Sequence, residues 1–191
     1  TLPANRETAT LVKGGKDKVL RITLRKAEDM IQWNGLTTRG KFEAQYGYLE
    51  VSAKMPVTKG HTGYFRLGPA DEKQTPSILV IVEGLGADQI MPWARKNDDS
   101  GQRDFRPEGK LTQFLKAGEA SKKFNTYGIL WTEKSFVWFI NGKKVHQVDK
   151  QDVPKPMHIQ LVHRVQEFER PNLNLKSLPD DVEFDWVKFW K

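Results

Sequence analysis

Residues 77–83 read Ser-Ile-Leu-Val-Ile-Val-Glu, a run in which five apolar side chains lead to a single carboxylate. Pro76 precedes the run and Gly84 follows it, so its length and its β-branched residues predict a short strand buried on both faces. A carboxylate is an unusual end for such a strand, because burying it is costly unless it is paired or takes part in chemistry. Glu83 therefore lies either in solvent at the mouth of the strand or in a functional site.

The rest of the chain repeats this pattern of short strands and turns. Gly47–Met55 alternates most clearly, with Leu49 on one face and Glu50 on the other. Asn141-Gly142 between two such runs is the strongest short-range signal of a hairpin. Ten or so short strands and almost no helix predict an all-β sandwich of two antiparallel sheets. The predicted strands are Thr8–Lys13, Val19–Lys26, Ile31–Thr38, Gly47–Met55, Gly63–Leu67, Ser77–Glu83, Gln89–Arg95, Phe124–Trp131, Ser135–Ile140, Lys143–Val148, Met157–Arg164 and Val182–Trp190.

Four further local features carry expectations about the fold. Pro92 interrupts the run Gln89–Arg95, which predicts either a sheet edge or a bulge at that point. Lys96–Gly109 is rich in Asp, Asn, Gly and Arg and predicts a loop. Spacings of three and four residues predict one short helix that contains Leu111, Phe114, Leu115 and Ala120. A spacing of two predicts that Val182, Phe184 and Trp186 share one face of a strand.

Composition narrows the classes of protein to consider. The 191 residues predict a single domain, residues 1–191, and the lack of cysteine removes disulfides and thiolate metal sites. No apolar run approaches the roughly 20 residues that span a bilayer, and Thr1 opens no signal peptide. The 31 Lys and Arg against 24 Asp and Glu give a net charge of +7, which favours acidic partners such as nucleic acid, anionic polysaccharide or anionic lipid.

Three stretches, read together, resemble one protein family. They are residues 35–56 with Gly-Leu-Thr-Thr-Arg-Gly-Lys-Phe and Tyr-Gly-Tyr-Leu-Glu-Val-Ser-Ala-Lys-Met-Pro, residues 124–143 with Phe-Asn-Thr-Tyr-Gly-Ile-Leu-Trp-Thr and Phe-Val-Trp-Phe-Ile-Asn-Gly-Lys, and residues 184–190 with Phe-Asp-Trp-Val-Lys-Phe-Trp. This set is similar to family 16 of the glycoside hydrolases, which includes laminarinases, lichenases, agarases and κ-carrageenases. The resemblance covers most of the chain from about Trp33 onward. It implies a concanavalin-like β-jelly roll whose concave sheet forms a carbohydrate cleft.

The resemblance also gives the strand that ends at Glu83 a role. In the family, this strand carries Glu-x-Asp-x-x-Glu or the shorter Glu-x-Asp-x-Glu, in which the first Glu is the nucleophile, the Asp assists it and the last Glu is the acid/base. With Glu83 as the last position, the longer form places Ile78 at the nucleophile and Val80 at the Asp. The shorter form places Leu79 and Ile81 at these two positions. In both forms only Glu83 retains a carboxylate.

That loss predicts that hydrolysis is absent. A retaining glycosidase needs two carboxyl groups about 5–5.5 Å apart, one to attack the anomeric carbon and one to protonate the leaving oxygen. An aliphatic side chain can neither attack nor stabilise the oxocarbenium ion. A lone Glu83 could donate a proton without completing the displacement.

Six residues are candidate ligand contacts. Trp33 and Trp93 are placed near the cleft, where flat rings stack on sugars, although each fits the core equally well. Arg66 stands where the family's tryptophan-rich segment leads us to expect a sugar-stacking tryptophan. Period two puts three polar residues on one face of a strand, which lines the concave sheet or faces solvent: His158, Gln160 and Arg164. The remaining tryptophans are predicted to be packing residues, namely Trp131, Trp138, Trp186 and Trp190.

Other classes of site are not supported by the sequence. The four histidines show no ligand spacing, so we predict no zinc site and no cofactor. The basic residues are dispersed, mostly at turns, and no nucleic-acid-binding motif accompanies them, so we predict no nucleic-acid partner. In place of the family's glycine-rich end to a late cleft strand, residues 164–170 read Arg-Val-Gln-Glu-Phe-Glu-Arg, and the shape of that loop is left open.

The sequence therefore predicts a catalytically degenerate, family 16-like jelly roll that binds polysaccharide, with a basic balance that favours a sulfated or acidic chain. We expect a monomer that is secreted, periplasmic or at the cell surface, with no membrane span. The alternative is an active glycosidase that uses Glu83 with a relocated acid such as Asp88 or Asp71.

Overall fold

The computed structural model describes residues 6–14, 17–69, 78–86, 89–98, 101–107, 114–149 and 156–191. One short helix, α1 (Glu119–Lys122), accompanies the strands, together with 3-10 turns at Arg6–Thr8, Glu167–Asn172 and Leu175–Ser177. The strands are β1 (Ala9–Gly14), β2 (Asp17–Ala27), β3 (Met30–Gln32), β4 (Asn34–Thr37), β5 (Glu43–Ala44), β6 (Gly47–Lys54), β7 (Thr62–Pro69), β8 (Ile78–Gly84), β9 (Ile90–Asp98), β10 (Gly101–Phe105), β11 (Asn125–Trp131), β12 (Ser135–Ile140), β13 (Lys143–Asp149), β14 (Met157–Arg164) and β15 (Asp180–Trp190).

The strands form two antiparallel sheets, which confirms the predicted all-β sandwich. Among the described residues, the larger sheet has eight strands in the order β1-β2-β15-β6-β11-β12-β13, with β3 paired to β2. The smaller sheet has seven strands in the order β10-β9-β8-β7-β14-β4, with β5 paired to β14. In the described part of the chain, no helix is long and apolar enough to cross a membrane.

The core lies between the two sheets and joins β12 to β8. Val51, Ile129 and Trp138 contribute from the larger sheet, and Phe65 and Leu79 contribute from the smaller one. Trp138 is fully buried, and its Nε1 donates a hydrogen bond of 2.9 Å across the sandwich to the carbonyl oxygen of residue 80. This bond anchors the middle of β8, where the sequence predicted a strand buried on both faces.

The predicted hairpin at Asn141-Gly142 is present and connects β12 to β13. Both turn residues have positive φ, 50° at Asn141 and 73° at Gly142, as the turn type that favours Asn-Gly requires. By contrast, the predicted single strand Ile31–Thr38 is wrong, because the chain leaves one sheet at Trp33 and enters the other. β3 pairs with β2 in the larger sheet, whereas β4 pairs with β14 in the smaller one.

Two other expectations about strands are corrected by the structure. Lys96–Gly109 is not a loop throughout, since β9 continues to Asp98 and pairs with β10. β10 is an edge strand, where exposed charged residues are common and hide the apolar pattern of a strand. Trp186 does not share a face with Val182 and Phe184, because a bulge between residues 184 and 186 reverses the alternation.

The predicted helix is shorter than its apolar spacing suggested. Only Glu119–Lys122 is helical, with Ala120 buried, and Leu111 lies outside the described residues. Phe114 and Leu115 instead pack against the core from a turn.

A buried chain of polar groups ties the ends of β7, β14, β2 and β15 together. Nδ1 of His163 donates to the carbonyl oxygen of Ile22 (2.9 Å), and its Nε2 lies 3.0 Å from Nδ1 of His61. Nε2 of His61 lies 3.4 Å from the carboxylate of Asp180, which accepts the backbone N–H and the hydroxyl of Thr58 at 2.7 and 2.8 Å. Both imidazole rings are inaccessible to solvent.

This network predicts that acid destabilises the fold. Burial, reinforced by the neighbouring His61, lowers the pKa of His163 from 6.5 to about 3. The unfolded chain then binds a proton between pH 6.5 and 3 that the folded chain does not, so stability is complete above 6.5 and falls with pH. From pH 7 to pH 4 the loss from His163 is about 3 kcal/mol.

Urea unfolding at pH 7 and pH 4 measures this effect. Burial also lowers the pKa of His146, which adds to the loss, whereas the raised pKa of the buried Glu169 opposes it below neutral pH. The pKa of Asp180 is lowered from 3.8, so its contribution disappears only at more acidic pH. His163→Gln should have a flatter pH dependence than the parent, and an equal free energy of unfolding at pH 7 and pH 4 would contradict this assignment.

Candidate functional site

The strand that ends at Glu83 contains a bulge opposite a proline. Val80 pairs with Trp93 of β9, but Glu83 pairs with Met91, so two residues of β8 oppose the single Pro92. A proline has no N–H to donate, and it fits at a bulge without the loss of a ladder hydrogen bond. Of the two positions that the sequence allowed for Pro92, an edge or a bulge, the structure has the bulge.

The bulge decides which side chains of β8 share a face. Leu79 and Ile81 belong to the core between the sheets, whereas Ile78, Val80 and Glu83 alternate away from it toward the outer face of the seven-stranded sheet. Only the longer of the two spacings considered above therefore places its three positions together on that face. On this spacing an isoleucine and a buried valine (2 % exposed) accompany the carboxylate.

Glu83 is held as a hydrogen-bond acceptor on both of its oxygens. It is 9 % exposed; Oε2 accepts from Nε1 of Trp93 at 2.7 Å and Oε1 accepts from Nε2 of Gln166 at 3.0 Å. The same Gln166 nitrogen donates to the hydroxyl of Thr62 at 3.1 Å. Glu83 is therefore not free in solvent at the strand mouth, and two neutral N–H donors fix its orientation.

A second carboxylate lies beyond Gln166, at the same end of the sheet. Glu169 is buried, and it accepts the backbone N–H of Gln166 at 3.1 Å, which closes a capping box at the start of the 3-10 turn Glu167–Asn172. Burial raises the pKa of Glu169, and the nearby Glu83 adds to the effect. This is the segment whose shape the sequence left open.

Arginines lie over aromatic rings at two places on the outer face. In the first, the guanidinium carbon of Arg66 is 4.6 Å from the centre of the Tyr64 ring, and that of Arg164 is 5.5 Å from the same ring. In the second, Arg95 and Arg106 lie 4.9 and 5.1 Å from the centre of the Trp93 ring. Because guanidinium groups occupy these ring faces, neither ring is an open platform for a sugar.

The two places differ in how their charges are balanced. Asp104 accepts from Nε of Arg95 at 2.7 Å and from one of its terminal nitrogens at 2.9 Å, and it also accepts from Arg106 at 3.2 Å. The hydrogen bond from Arg95 lowers the pKa of Asp104. Arg66 instead donates to the neutral Oε1 of Gln160 at 2.5 Å, and Nε of Arg164 is buried without a hydrogen-bond partner.

The polar residues of β14 complete the arrangement around Arg66. Nε2 of Gln160 donates to Nε2 of His158 at 2.7 Å, so the amide of Gln160 is fixed from both sides. Burial lowers the pKa of His158, and the positive charge of Arg39 adds to this effect. His158 is almost inaccessible, whereas Gln160 and Arg66 are partly exposed on the outer face.

The structure places five of the six predicted ligand residues on the face of the seven-stranded sheet that carries Glu83. These five residues are Arg66, Trp93, His158, Gln160 and Arg164. Trp33 is partly exposed and lies just before β4, beside the end of β14 that carries Arg164. Sequence reasoning missed Tyr64, Gln166 and Glu169, and it missed Arg95 and Arg106, which form a separate set over Trp93. Tyr64 and Arg95 could have been found, because they lie two residues from Arg66 and Trp93 and so share their strand faces.

Metal coordination is not indicated by this geometry. Across the described ranges, no group of three or more His, Asp or Glu side chains is arranged to hold a metal ion. The relocated acids proposed in the alternative, Asp71 and Asp88, lie outside the described residues.

Comparison with known proteins identifies the family. The sequence profile described as Glycosyl hydrolases family 16 matches residues 4–187. The chain belongs to glycosyl hydrolase family 16. Its two antiparallel sheets are thus those of the family's jelly roll, as the resemblance implied.

Individual family 16 relatives show how the match is distributed. The chain is 32 % identical over 152 residues to the endo-1,3-1,4-beta-glycanase ExsH of Rhizobium meliloti, which covers 74 % of this chain and 31 % of the relative. The endo-1,3-1,4-beta-glycanase EglC of the same organism is 29 % identical over 154 residues, 75 % of this chain and 32 % of the relative. The chain spans about a third of the length of these curated relatives.

Solved structures show the same family 16 fold. A Bacteroides ovatus family 16 protein, solved with a G4G4G3G product of mixed-linkage glucan, superposes with a TM-score of 0.83 at 18 % identity and covers 98 % of this chain and 87 % of its own. The laminarinase catalytic domain of Thermotoga maritima superposes with a TM-score of 0.81 at 20 % identity, with 98 % and 82 % of the two chains covered. At these identities the likeness shows the fold alone.

Proposed function

We propose that this family 16 domain, taken as residues 1–191, binds a β-linked anionic polysaccharide across the outer face of its seven-stranded sheet and does not hydrolyse it. The observation that carries the proposal is the set of side chains beside Glu83. On the longer spacing, the family resemblance assigns Ile78 and Val80 to the nucleophile and its assisting acid, and strand pairing puts both side chains on the face of Glu83. Retaining hydrolysis needs two carboxyl groups on opposite sides of the anomeric carbon, and these positions supply none.

The names of the relatives support a polysaccharide as the ligand. The Rhizobium meliloti proteins are named as β-glycanases, and the Bacteroides ovatus structure holds a glucan product. Membership of a family of such enzymes supports an extracellular location for this domain, where polysaccharides are encountered. We propose that the domain is a monomer. The arginines support an anionic chain over a neutral one, because they cover the aromatic rings that would otherwise stack on sugars.

The alternative of an active glycosidase has one observation in its favour. Glu169 is a buried carboxylate connected to Glu83 through Gln166 and Thr62. Its Oε2 already accepts the backbone N–H of Gln166, however, so moving it to a substrate would open the capping box. The arrangement supports a role for Glu169 in holding the segment, and its substitution serves as a control in the activity test.

Binding to matched galactans tests the ligand. Affinity electrophoresis should show retardation by the sulfated polymer κ-carrageenan and little or none by neutral agarose, laminarin or lichenan. Because the attraction is electrostatic, retardation should decrease as salt rises past about 0.15 M, where the Debye length is about 8 Å. Equal retardation by agarose and κ-carrageenan at low salt would contradict the anionic ligand.

A further inference from the structure

Arg66, Tyr64 and Arg164 form a compact unit on the outer face, which we call the arginine pair. Arg66 follows Tyr64 by two residues on β7, while Arg164 of β14 pairs with Thr62, two residues before Tyr64, so the ring lies between the two guanidinium groups. Given the proposed function, we infer that the arginine pair is the site that binds the charged substituent of the polysaccharide, a sulfate ester or a uronate carboxylate.

Among the residues that the structure describes, no carboxylate forms a salt bridge with either arginine of the pair. In the described part of the chain, Arg66 donates only to the amide of Gln160, and Arg164 Nε has no acceptor. Glu83 lies near enough for its charge to act on the pKa of Arg66, but its two oxygens already accept hydrogen bonds from Trp93 and Gln166. Two like charges, partly removed from water with only the single charge of Glu83 nearby, are unfavourable, and a bound anion relieves this cost.

The pKa of Arg66 is consistent with two partly buried arginines that lie close together. Burial lowers the pKa of Arg66, and the neighbouring Arg164 adds to that effect. Arg66 stays charged at neutral pH, because a guanidinium keeps its proton far above that range. Arg66 is therefore available as a cation to an anionic ligand at neutral pH.

The geometry of the arginine pair suits oxyanions. A guanidinium group is planar and offers a fork of N–H donors that matches two oxygens of a sulfate or a carboxylate. Gln160 holds Nε of Arg66, and His158 holds Gln160, so the Arg66 group is oriented before a ligand arrives. Gly68 leaves room for this amide, since a Cβ at that position would lie 3.1 Å from Nε2 of Gln160.

The second set of arginines on the same face provides an internal contrast. Arg95 and Arg106 also lie over an aromatic ring, yet both donate to Asp104, which leaves that cluster with a smaller excess of positive charge. Removing one of these arginines changes the net charge of the domain by the same amount as removing Arg66 or Arg164. A diffuse attraction to the basic surface would respond equally to all of these changes, whereas a site at the arginine pair would not.

The test compares Arg66→Gln and Arg164→Gln with the matched control Arg106→Gln on κ-carrageenan and on β-1,4-linked polymannuronate. Each of the first two changes should weaken binding to the preferred polymer about tenfold, and the control should weaken it less than about twofold. The two polymers distinguish a sulfate from a carboxylate. If the parent is retarded and all three variants weaken binding equally, the arginine pair is not the site, while the proposed function stands.

Inorganic sulfate tests the site without any polysaccharide. Sodium sulfate should raise the melting temperature of the parent and of Arg106→Gln more than sodium chloride of equal ionic strength does, because a bound anion stabilises the folded state. The excess should be reduced in Arg66→Gln and in Arg164→Gln. If the excess is present but no polymer is bound, the proposed function fails and the anion site stands. An excess of the same size in all four proteins would reflect the general effect of sulfate and would overturn the inference.

Discussion

Replacing Val80 by Asp together with Ile78 by Glu is expected to lower the free energy of unfolding by about 3 kcal/mol or more without producing any hydrolysis. The change places carboxylates at the two positions of β8 where the family resemblance puts the nucleophile and its assisting acid. Val80 is only 2 % exposed and lies between Arg66 on β7 and Trp93 on β9, so a carboxylate there loses its hydration. Arg66 lies opposite and offers a counter-charge, but its Nε is held by Gln160 and its guanidinium lies over Tyr64, so its attraction offsets only part of the lost hydration.

The single changes separate the two positions. Ile78 is partly exposed and lies directly opposite Arg95, so Ile78→Glu should alter stability by no more than about 0.5 kcal/mol. Val80→Thr keeps the shape of the side chain without the charge and should cost about 1 kcal/mol. Urea unfolding of the double variant and of the single variants Ile78→Glu, Val80→Thr and Val80→Asp gives these values. A Val80→Asp variant that unfolds like the parent would mean that residue 80 faces an open, wet cleft.

The same variants should stay inactive even if they fold. Glu83 would need to carry a proton and release it to a leaving oxygen, but its two oxygens accept hydrogen bonds from Trp93 and Gln166. Both donors are neutral N–H groups that suit a carboxylate. The contacts around Glu83 thus favour a group that organises this end of the sheet over one that transfers a proton.

Sequence reasoning reached the fold because its signals are local. Alternation marked most of the strands, and Asn141-Gly142 marked a hairpin through the positive φ that both residues adopt. Pro92 marked the bulge that puts residues 78, 80 and 83 on one face. What alternation could not give is the point at which a strand changes sheet or reverses its faces, as at Trp33 and at the bulge before Trp186.

The site was less accessible to sequence reasoning because its contacts join distant strands. Arg66 and Arg164 meet over Tyr64 only through the pairing of β7 with β14, which brings together residues about a hundred positions apart. Gln166 reaches Glu83 from a 3-10 turn whose sequence carries no strand or helix pattern. The basic composition suggested an anionic partner, but only the structure distinguishes the arginines paired with Asp104 from the two that are not.

The net charge of +7 and the arginine pair would therefore contribute to polyanion binding at different distances. The overall charge attracts any polyanion over a distance set by the salt concentration, and this attraction carries little specificity. On our proposal, the arginine pair acts at contact, where two oriented guanidinium groups would recognise the position of a substituent along the polysaccharide. Selectivity for a charged polysaccharide should follow from the second effect.

The most direct test of the account is an assay of reducing ends with laminarin, lichenan, agarose and κ-carrageenan, run on the parent, Glu83→Gln and Glu169→Gln, each checked for its melting temperature. Because Ile78 and Val80 supply no nucleophile beside Glu83, we expect no reducing ends above the substrate blank from any of the three proteins. Turnover by the parent that disappears in folded Glu83→Gln would contradict the account, and its loss in Glu169→Gln as well would identify the second carboxylate.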